Sequence, residues 1–370
     1  VSAVTRIGSL FSGVGALDLA CVAAFGGSTS WMVEHDPHAA AVLRRHFAHA
    51  QVIEGDVAEV DPSTLPAVDV LCGGFPCQDL STAGLQAGLD GERSGLYRHL
   101  LRFAEALRPG RVVIENVPAL FSKYRGRIEC DWMALGYSVT WRLCSAAAAG
   151  APHLRRRVFV ECVRVPDVVR VPDVVRVPDV VRVPDEWATP TARDWRNGNA
   201  SDATHERNGR PLNEQATRQD LDERRAWPTP LGTDASKAPK QWPTPRSTDA
   251  QGPGPGTSGS PPLSALVQSP LGRLNPDWHA ALMGLPPTWT ATDGPSLYDE
   301  ALALVRAPRW PAGRGEPQHA WEPPRLVSGP PQPGRPGRIR CSGNAVVPQA
   351  ALLALTFVEE QVGLFAECRP

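Results

Sequence analysis

Short apolar runs alternate with amphipathic stretches over the first 165 residues of the chain. RIGSLF (6–11) is an apolar run that opens into a glycine turn, SGVGA, followed by a helical pattern, LDLACVAAFG. SWMVE (30–34) has strand character, and HDPHAAAVLRRHF (35–47) has helical periodicity. QVIEGDV (51–57) and VDVLCGG (68–74) read as further strands. SGLYRHLLRFAEALRPG (94–110) places apolar residues at helical spacing and stops at Pro109 and Gly110. RVVIENV (111–117) and RRRVFVECVRV (155–165) are again strand-like. Such alternation predicts an α/β sheet covered by helices on both faces. Ligands of such sheets bind beyond the C-terminal strand ends. The polar residues of SGVG, VEHD, EGDV, FPCQ and ENV all fall there.

Beyond about residue 160 the texture changes. VRVPD is followed by three copies of VVRVPD, ending at Asp185. Proline in every copy opposes a helix or a central strand. The repeat reads as a tandem duplication in a tolerated surface loop, with a rigid spacer or binding motif as the alternative. Residues 186–340 are rich in Pro, Gly, Trp and Arg, and eight of the eleven tryptophans lie beyond residue 185. A motif recurs here as WATPTARD (187–194), WPTPLGTD (227–234) and WPTPRSTD (242–249). GPGPGTSGSPP (252–262) reads as a flexible connector, and LNPDWHAALMGLPPTWT (274–290) as a short helix bounded by prolines. SGNAVVPQAALLALTFVEEQVGLF (342–365) predicts a turn and then an apolar helix, closer in texture to the first part. The boundaries expected are 1–162, a repeat linker 163–185, a second region 186–337, and a returning segment 338–370.

Composition narrows this little. The net charge is -1, so a nucleic-acid partner must be argued from motifs rather than bulk charge. No apolar run is long enough to span a membrane, and the start of the chain shows no signal-peptide pattern. The eight cysteines are scattered without a C-x-x-C pair, so neither a metal site nor a disulfide framework is expected. A cytoplasmic location follows as the default.

Within GGFPCQDLSTAG (73–84), Cys77 sits after Pro76 and before Gln78 and Asp79, in a glycine-flanked turn. A structural cysteine more often lies inside an apolar run. LFSGVGA sets glycines at a strand-to-helix turn, where a ligand can approach the backbone, although many such turns are only turns. Glu34 and Asp56 end the next two strand-like runs. Each alone is an ordinary loop acid; in series they describe a nucleoside site, one for ribose hydroxyls and one for an adenine amino group. In APHLRRRVFV, Arg155 and Arg157 point the same way on an extended segment, with Arg156 opposite.

In order, LFSGVGALDLA, VEHDP, EGDV, GGFPCQDLSTAG, ENVPAL, PHLRRRVFV and SGNAVVP resemble the motif series of the DNA (cytosine-5)-methyltransferases, over residues 6–160 and about 340–365. The resemblance implies a class I, Rossmann-like S-adenosylmethionine-dependent fold in 1–162. It implies a smaller, irregular target-recognition domain in 186–337. Cys77, presented by Pro76, matches the nucleophile that adds to cytosine carbon 6. Glu115 matches the acid at the cytosine N3 edge, and Asn116 holds its loop. Arg157 matches the contact to the cytosine O2, and Arg155 supports the cysteine loop. Phe11, Ser12, Gly13, Gly15, Glu34, His35, Asp56 and Asn344 match cofactor positions. His35 stands where a larger aromatic often stacks, and His153 where glutamine is usual. The implied partner is double-stranded DNA bound by a monomer, at one short sequence, in restriction-modification or phage DNA protection, with a cognate endonuclease. A transfer-RNA methyltransferase and a catalytically silent relative are the alternatives. Amino-group methyltransferases are disfavoured, because no D/N/S-P-P-Y/F/W motif follows a strand.

Overall fold

The computed structural model describes residues 4–76, 96–165, 241–247, 249, 273–328 and 334–356. All fall within residues 1–165 and 239–370, and residues 166–238 lie outside the described residues. The VVRVPD repeat and the first two W-x-T-P copies fall in that last stretch.

The strands are β1 (Arg6–Leu10), β2 (Ser28–Glu34), β3 (Gln51–Glu54), β4 (Val70–Gly73), β5 (Arg111–Asn116), β6 (Tyr137–Ser145) and β7 (Arg156–Arg164). They form one sheet in the order β3-β2-β1-β4-β5-β7-β6. The first five are parallel, and β7 runs antiparallel to β5 and β6. The chain direction across the sheet reverses between β1 and β4, the crevice where ligands of open α/β sheets bind. The alternation expected from the sequence therefore gives the expected Rossmann-like architecture.

Central strands are apolar on both faces, as burial on both sides requires. Along β4, Val70 and Cys72 join one core and Leu71 the other. Along β5, Val113 joins the first and Val112 and Ile114 the second. Helix α1 (Ala16–Phe25) lies in the first core and helix α2 (Pro37–His46) packs beside it. Asp36 accepts from His38 N and Ala39 N, and Pro37 fills the first turn of α2, which sets where that helix starts. Helix α3 (Leu96–Leu107) faces the other core with Tyr97, Leu100, Phe103 and Ala104.

Helix α4 (Ala119–Ala134) and the edge strand β6 have no clear counterpart in the hydrophobic pattern. Only Leu120, Ile128 and Trp132 of α4 are buried, too sparse a stripe to mark a helix.

Among the described residues, the further α-helices and strands are α5 (Pro276–Leu282), α6 (Tyr298–Arg306), a two-stranded ribbon of β8 (Arg273–Leu274) and β9 (Leu326–Val327), α7 (Arg335–Asn344) and α8 (Pro348–Thr356). Asn275 caps α5 and Pro276 opens it, as the LNPDW sequence requires. The turn expected at SGN is instead the last turn of α7, and only residues 345–347 bridge to α8. Residues 280–305 and α8 share the first core with α1, so these later segments complete the helical layer on that face.

Candidate functional site

A cleft of about 620 Å³ opens at the C-terminal ends of the parallel strands, within the ~300–1,000 Å³ usual for small-molecule sites. The end of α7 forms part of its wall through Cys341, Gly343, Asn344 and Ala345. Phe11, Gly13, Glu34, His35, Asp56, Pro76, Glu115, Asn116, Arg155, Arg157 and Asn344 all line it. Ser12 lines a smaller adjoining pocket together with Asp18. Gly15 lines neither, and Cys77 lies outside the described residues.

The loop after β1 is shaped by backbone geometry. Phe11 adopts φ 53° and Gly13 φ 54°, both in the left-handed region. Ser12 anchors the turn to β2, donating from N and Oγ to Val33 O at 3.2 Å each. Gly13 N donates to Glu34 Oε2 at 2.6 Å, and Asp36 N donates to Oε1 at 2.8 Å. The Glu34 carboxylate thus ties the glycine turn to the end of β2. Burial raises its pKa above the ordinary value, and the backbone donors oppose that rise. Gly15 has a packing role: a Cβ there would lie 2.3 Å from the Phe47 ring. At the end of β3, Asp56 Oδ1 accepts from Ala58 N at 2.8 Å.

On the other side, Glu115 is next to last in β5 and Arg157 second in β7. Arg157 Nε lies 2.9 Å from Glu115 Oε1, and the two side chains are 22% and 12% exposed. Asn116 Nδ2 donates to Phe75 O at 3.1 Å, while its Oδ1 accepts from Val117 N at 2.8 Å. One amide therefore fastens the loop after β4 to the end of β5. A Cβ on Gly74 would lie 3.0 Å from Glu115 Oε2, so the loop passes close against the carboxylate. Arg155 is a clamp: Nη2 donates to Ala345 O at 2.7 Å, and Nη1 to Pro245 O at 3.3 Å.

Several residues support the cleft from behind. Trp289 Nε1 donates to Val14 O at 3.0 Å, bracing the glycine turn from behind. His153 is fully buried, with Nε2 2.7 Å from Leu282 O, and burial depresses its pKa to about 3. The ring is neutral and Nε2–H donates, joining the approach to β7 to the end of α5. Asp18 accepts from Ser9 Oγ at 3.0 Å beneath the glycine turn, and burial raises its pKa to about 7. His153 and Asp18 fall inside the motifs PHLRRRVFV and LFSGVGALDLA, and for Trp289 the only sequence signal is an aromatic residue next to an apolar run. Among the described residues no group of His, Cys, Asp or Glu could hold a metal ion, and no helix is long and apolar enough to cross a membrane.

Comparison with known proteins agrees with this geometry. Over 166 residues the chain is 37% identical to the type II methyltransferase M.NgoFVII of Neisseria gonorrhoeae, covering 43% of this chain and 44% of that one. It is 39% identical over 163 residues to M2.BsuMI of Bacillus subtilis, covering 42% and 41%. It is 31% identical over 163 residues to M.HhaI of Haemophilus parahaemolyticus, covering 43% and 49%. The chain thus spans less than half the length of each of these relatives. The family profile described as C-5 cytosine-specific DNA methylase matches residues 5–293. That match takes in the cleft lining from Phe11 to Arg157, and the chain belongs to the C-5 cytosine-specific DNA methylase family.

Proposed function

We propose that the protein transfers a methyl group from S-adenosylmethionine to carbon 5 of a cytosine in duplex DNA, at one short sequence. The observation that carries this reading is the Glu115–Arg157 pair, set in the cleft beside the Gly74–Pro76 loop that leads into Cys77.

The cleft suits the cofactor in size and donor set. Glu34 and Asp56 stand at successive strand ends, where carboxylates can accept from ribose hydroxyls and an adenine amino group. Phe11, Gly13, His35 and Asn344 would line the rest of its site, with Ser12 and Gly15 shaping the turn. When bound, the cofactor supplies an electrophilic methyl group.

The chain's own residues prepare the base. The thiolate of Cys77 adds to carbon 6 of the cytosine, and electron density moves to N3 and carbon 5. Glu115 delivers a proton at N3, which keeps negative charge from accumulating there. Arg157 holds the Glu115 carboxylate and faces the O2 edge. Asn116 and Gly74 keep the Cys77 loop against Glu115, and Arg155 holds the start of β7. Once carbon 5 carries its methyl group, water takes the carbon 5 proton, the thiolate departs and N3 returns its proton to Glu115, which restores the aromatic ring.

A cytosine in a duplex must leave the stack to reach this cleft, at a cost of a few kcal/mol. Residues 186–337 are assigned to reading the flanking bases, apart from the segments at 242–249 and 274–305 that pack on the sheet domain, with 338–370 returning to the cofactor side. The type II relatives support a role in restriction-modification, beside an endonuclease of the same specificity; protection of phage DNA would use the same activity.

The test is base-resolution sequencing of 5-methylcytosine in a methylation-free host expressing the protein, beside Cys77→Ala. Methylation at one motif, absent in the variant, is expected. Methylated transfer RNA with unmodified DNA would overturn the DNA substrate.

A further inference from the structure

Asp249, His279 and Ser342 form a polar chain sealed from solvent, each 1% exposed or less. His279 Nδ1 lies 2.7 Å from Ser342 Oγ, and His279 Nε2 lies 3.4 Å from Asp249 Oδ2. The two ring nitrogens of His279 thus bridge the serine hydroxyl to the carboxylate. Ser342 Oγ also lies 2.9 Å from Arg338 O, within its own helix. Buried polar groups joined in this way cost little when every partner is present and much when one is removed.

The three residues come from three distant stretches of chain. Asp249 closes the WPTPRSTD motif, His279 sits in α5, and Ser342 sits in the last turn of α7. The motif is seated against the sheet at its other end. Trp242 N donates to Pro152 O at 2.8 Å, Trp242 Nε1 donates to Ala312 O at 3.0 Å, and Thr244 Oγ1 accepts from Arg155 N at 3.2 Å. Asp249 Oδ2 accepts from Arg246 N at 2.8 Å, which folds the motif back on itself. The motif then presses on α7: a Cβ on Gly343 would lie 2.2 Å from both Arg246 C and Ser247 N.

Asn344 follows directly and lines the cleft. Residues two apart on a helix point to nearly opposite sides. Ser342 therefore faces α5 while Asn344 faces the cleft, and a rotation of this last turn would move both.

We propose that Asp249 and His279 are positioning residues for Asn344. Through Ser342 they fix the rotation of the last turn of α7, and so the wall that Asn344 gives the cleft. This third W-x-T-P copy thereby serves the cofactor side of the site. The proposal rests on reading the cleft as the S-adenosylmethionine site.

The experiment is a double-variant cycle on the full chain, with S-adenosylmethionine binding measured by titration calorimetry. Ser342→Ala suits a helix, since alanine has the highest helical propensity. Ser342→Ala and Asn344→Ala are each expected to weaken binding about tenfold, and the double variant to be within about twofold of Asn344→Ala alone. At saturating cofactor, Ser342→Ala should keep kcat within about threefold of the wild type, because only the cofactor wall has shifted. Losses that multiply in the double variant, or wild-type affinity in Ser342→Ala, would overturn the proposal. If Ser342→Ala does not fold, Asp249→Asn enters the same cycle with the same expectations, since it keeps the shape and removes the charge. A wild-type protein that bound no S-adenosylmethionine would instead overturn the cofactor reading beneath it.

Discussion

Arg157 Nε and Glu115 Oε1, 2.9 Å apart, join the first residues of β7 to the last residues of β5 across an antiparallel pairing. The glutamate is thereby held at the cleft by a guanidinium and approached closely by Gly74. Glu115→Gln keeps the side-chain shape and removes the charge and the proton. Transfer should slow by about 10²–10⁴-fold, the usual contribution of a positioned acid, while cofactor affinity changes little. Single-turnover transfer of labelled methyl groups, beside calorimetric binding, checks this. An unchanged rate would remove Glu115 from acid catalysis.

Trp289 braces the glycine turn at a distance of 275 residues in sequence. Its ring stacks on His46 at 3.9 Å between centroids. Leu297 N donates to His46 Nδ1, so Nε2–H donates to Trp289 O at 2.8 Å. Burial holds His46 to a pKa of about 4, which keeps it neutral near pH 7. Trp289→Phe preserves the ring contact and leaves Val14 O without its donor. Stability should fall by about 1–3 kcal/mol, with a parallel loss of cofactor affinity, as read by urea unfolding and calorimetry. Unchanged stability would mean that the indole N–H does not brace the loop.

The parallel half of the sheet was legible in the sequence because its strands are buried on both faces and end in polar turns. RIGSLF, SWMVE, VDVLCGG and RVVIENV all correspond to β-strands. Edge strand β6 has a mixed burial pattern, and α4 buries too few residues to show a stripe. The cleft's lining could be named from motifs because each motif is local, from Phe11–Gly13 to Glu115–Asn116. Asn116 and Arg155 could be named as supports in the same way, but the long-range partners of the other supports could not. The Trp289–Val14, His153–Leu282 and His279–Ser342 contacts join residues more than 60 positions apart, between segments whose local pattern carries no register.

Asp18 should make stability depend on pH. Burial raises its pKa from the ordinary 3.8 to about 7. Between those values the folded protein holds a proton that the unfolded chain has released. The stability contributed by the neutral acid is therefore full below about pH 4 and is lost as pH rises through about 7. Asp18→Asn retains an acceptor for the Ser9 hydroxyl and does not ionise. Relative to wild type, it should gain a few kcal/mol between pH 4 and pH 8, about 4 at most. Urea unfolding at the two pH values measures the difference, and an equal gap at both would show that Asp18 does not retain its proton on folding.

Arg155 and Arg157 are two residues apart and serve different purposes. Arg155 is 6% exposed and reaches backbone carbonyls of two other segments, Pro245 and Ala345. Arg157 is more open and meets the Glu115 carboxylate. A lysine keeps the charge but loses the planar fork, so it cannot reach two diverging acceptors at once. Arg155→Lys should therefore lower stability by about 1.5–3 kcal/mol, the range for a hydrogen bond to a charged group. Arg157→Lys loses one partly exposed pair and should cost about 1 kcal/mol or less, while slowing transfer more than Arg155→Lys does at a temperature where both are folded. Thermal unfolding and single-turnover rates on the two variants separate the roles. If Arg155→Lys were the more stable and the slower of the two, the clamp and the catalytic contact would have been assigned to the wrong arginines.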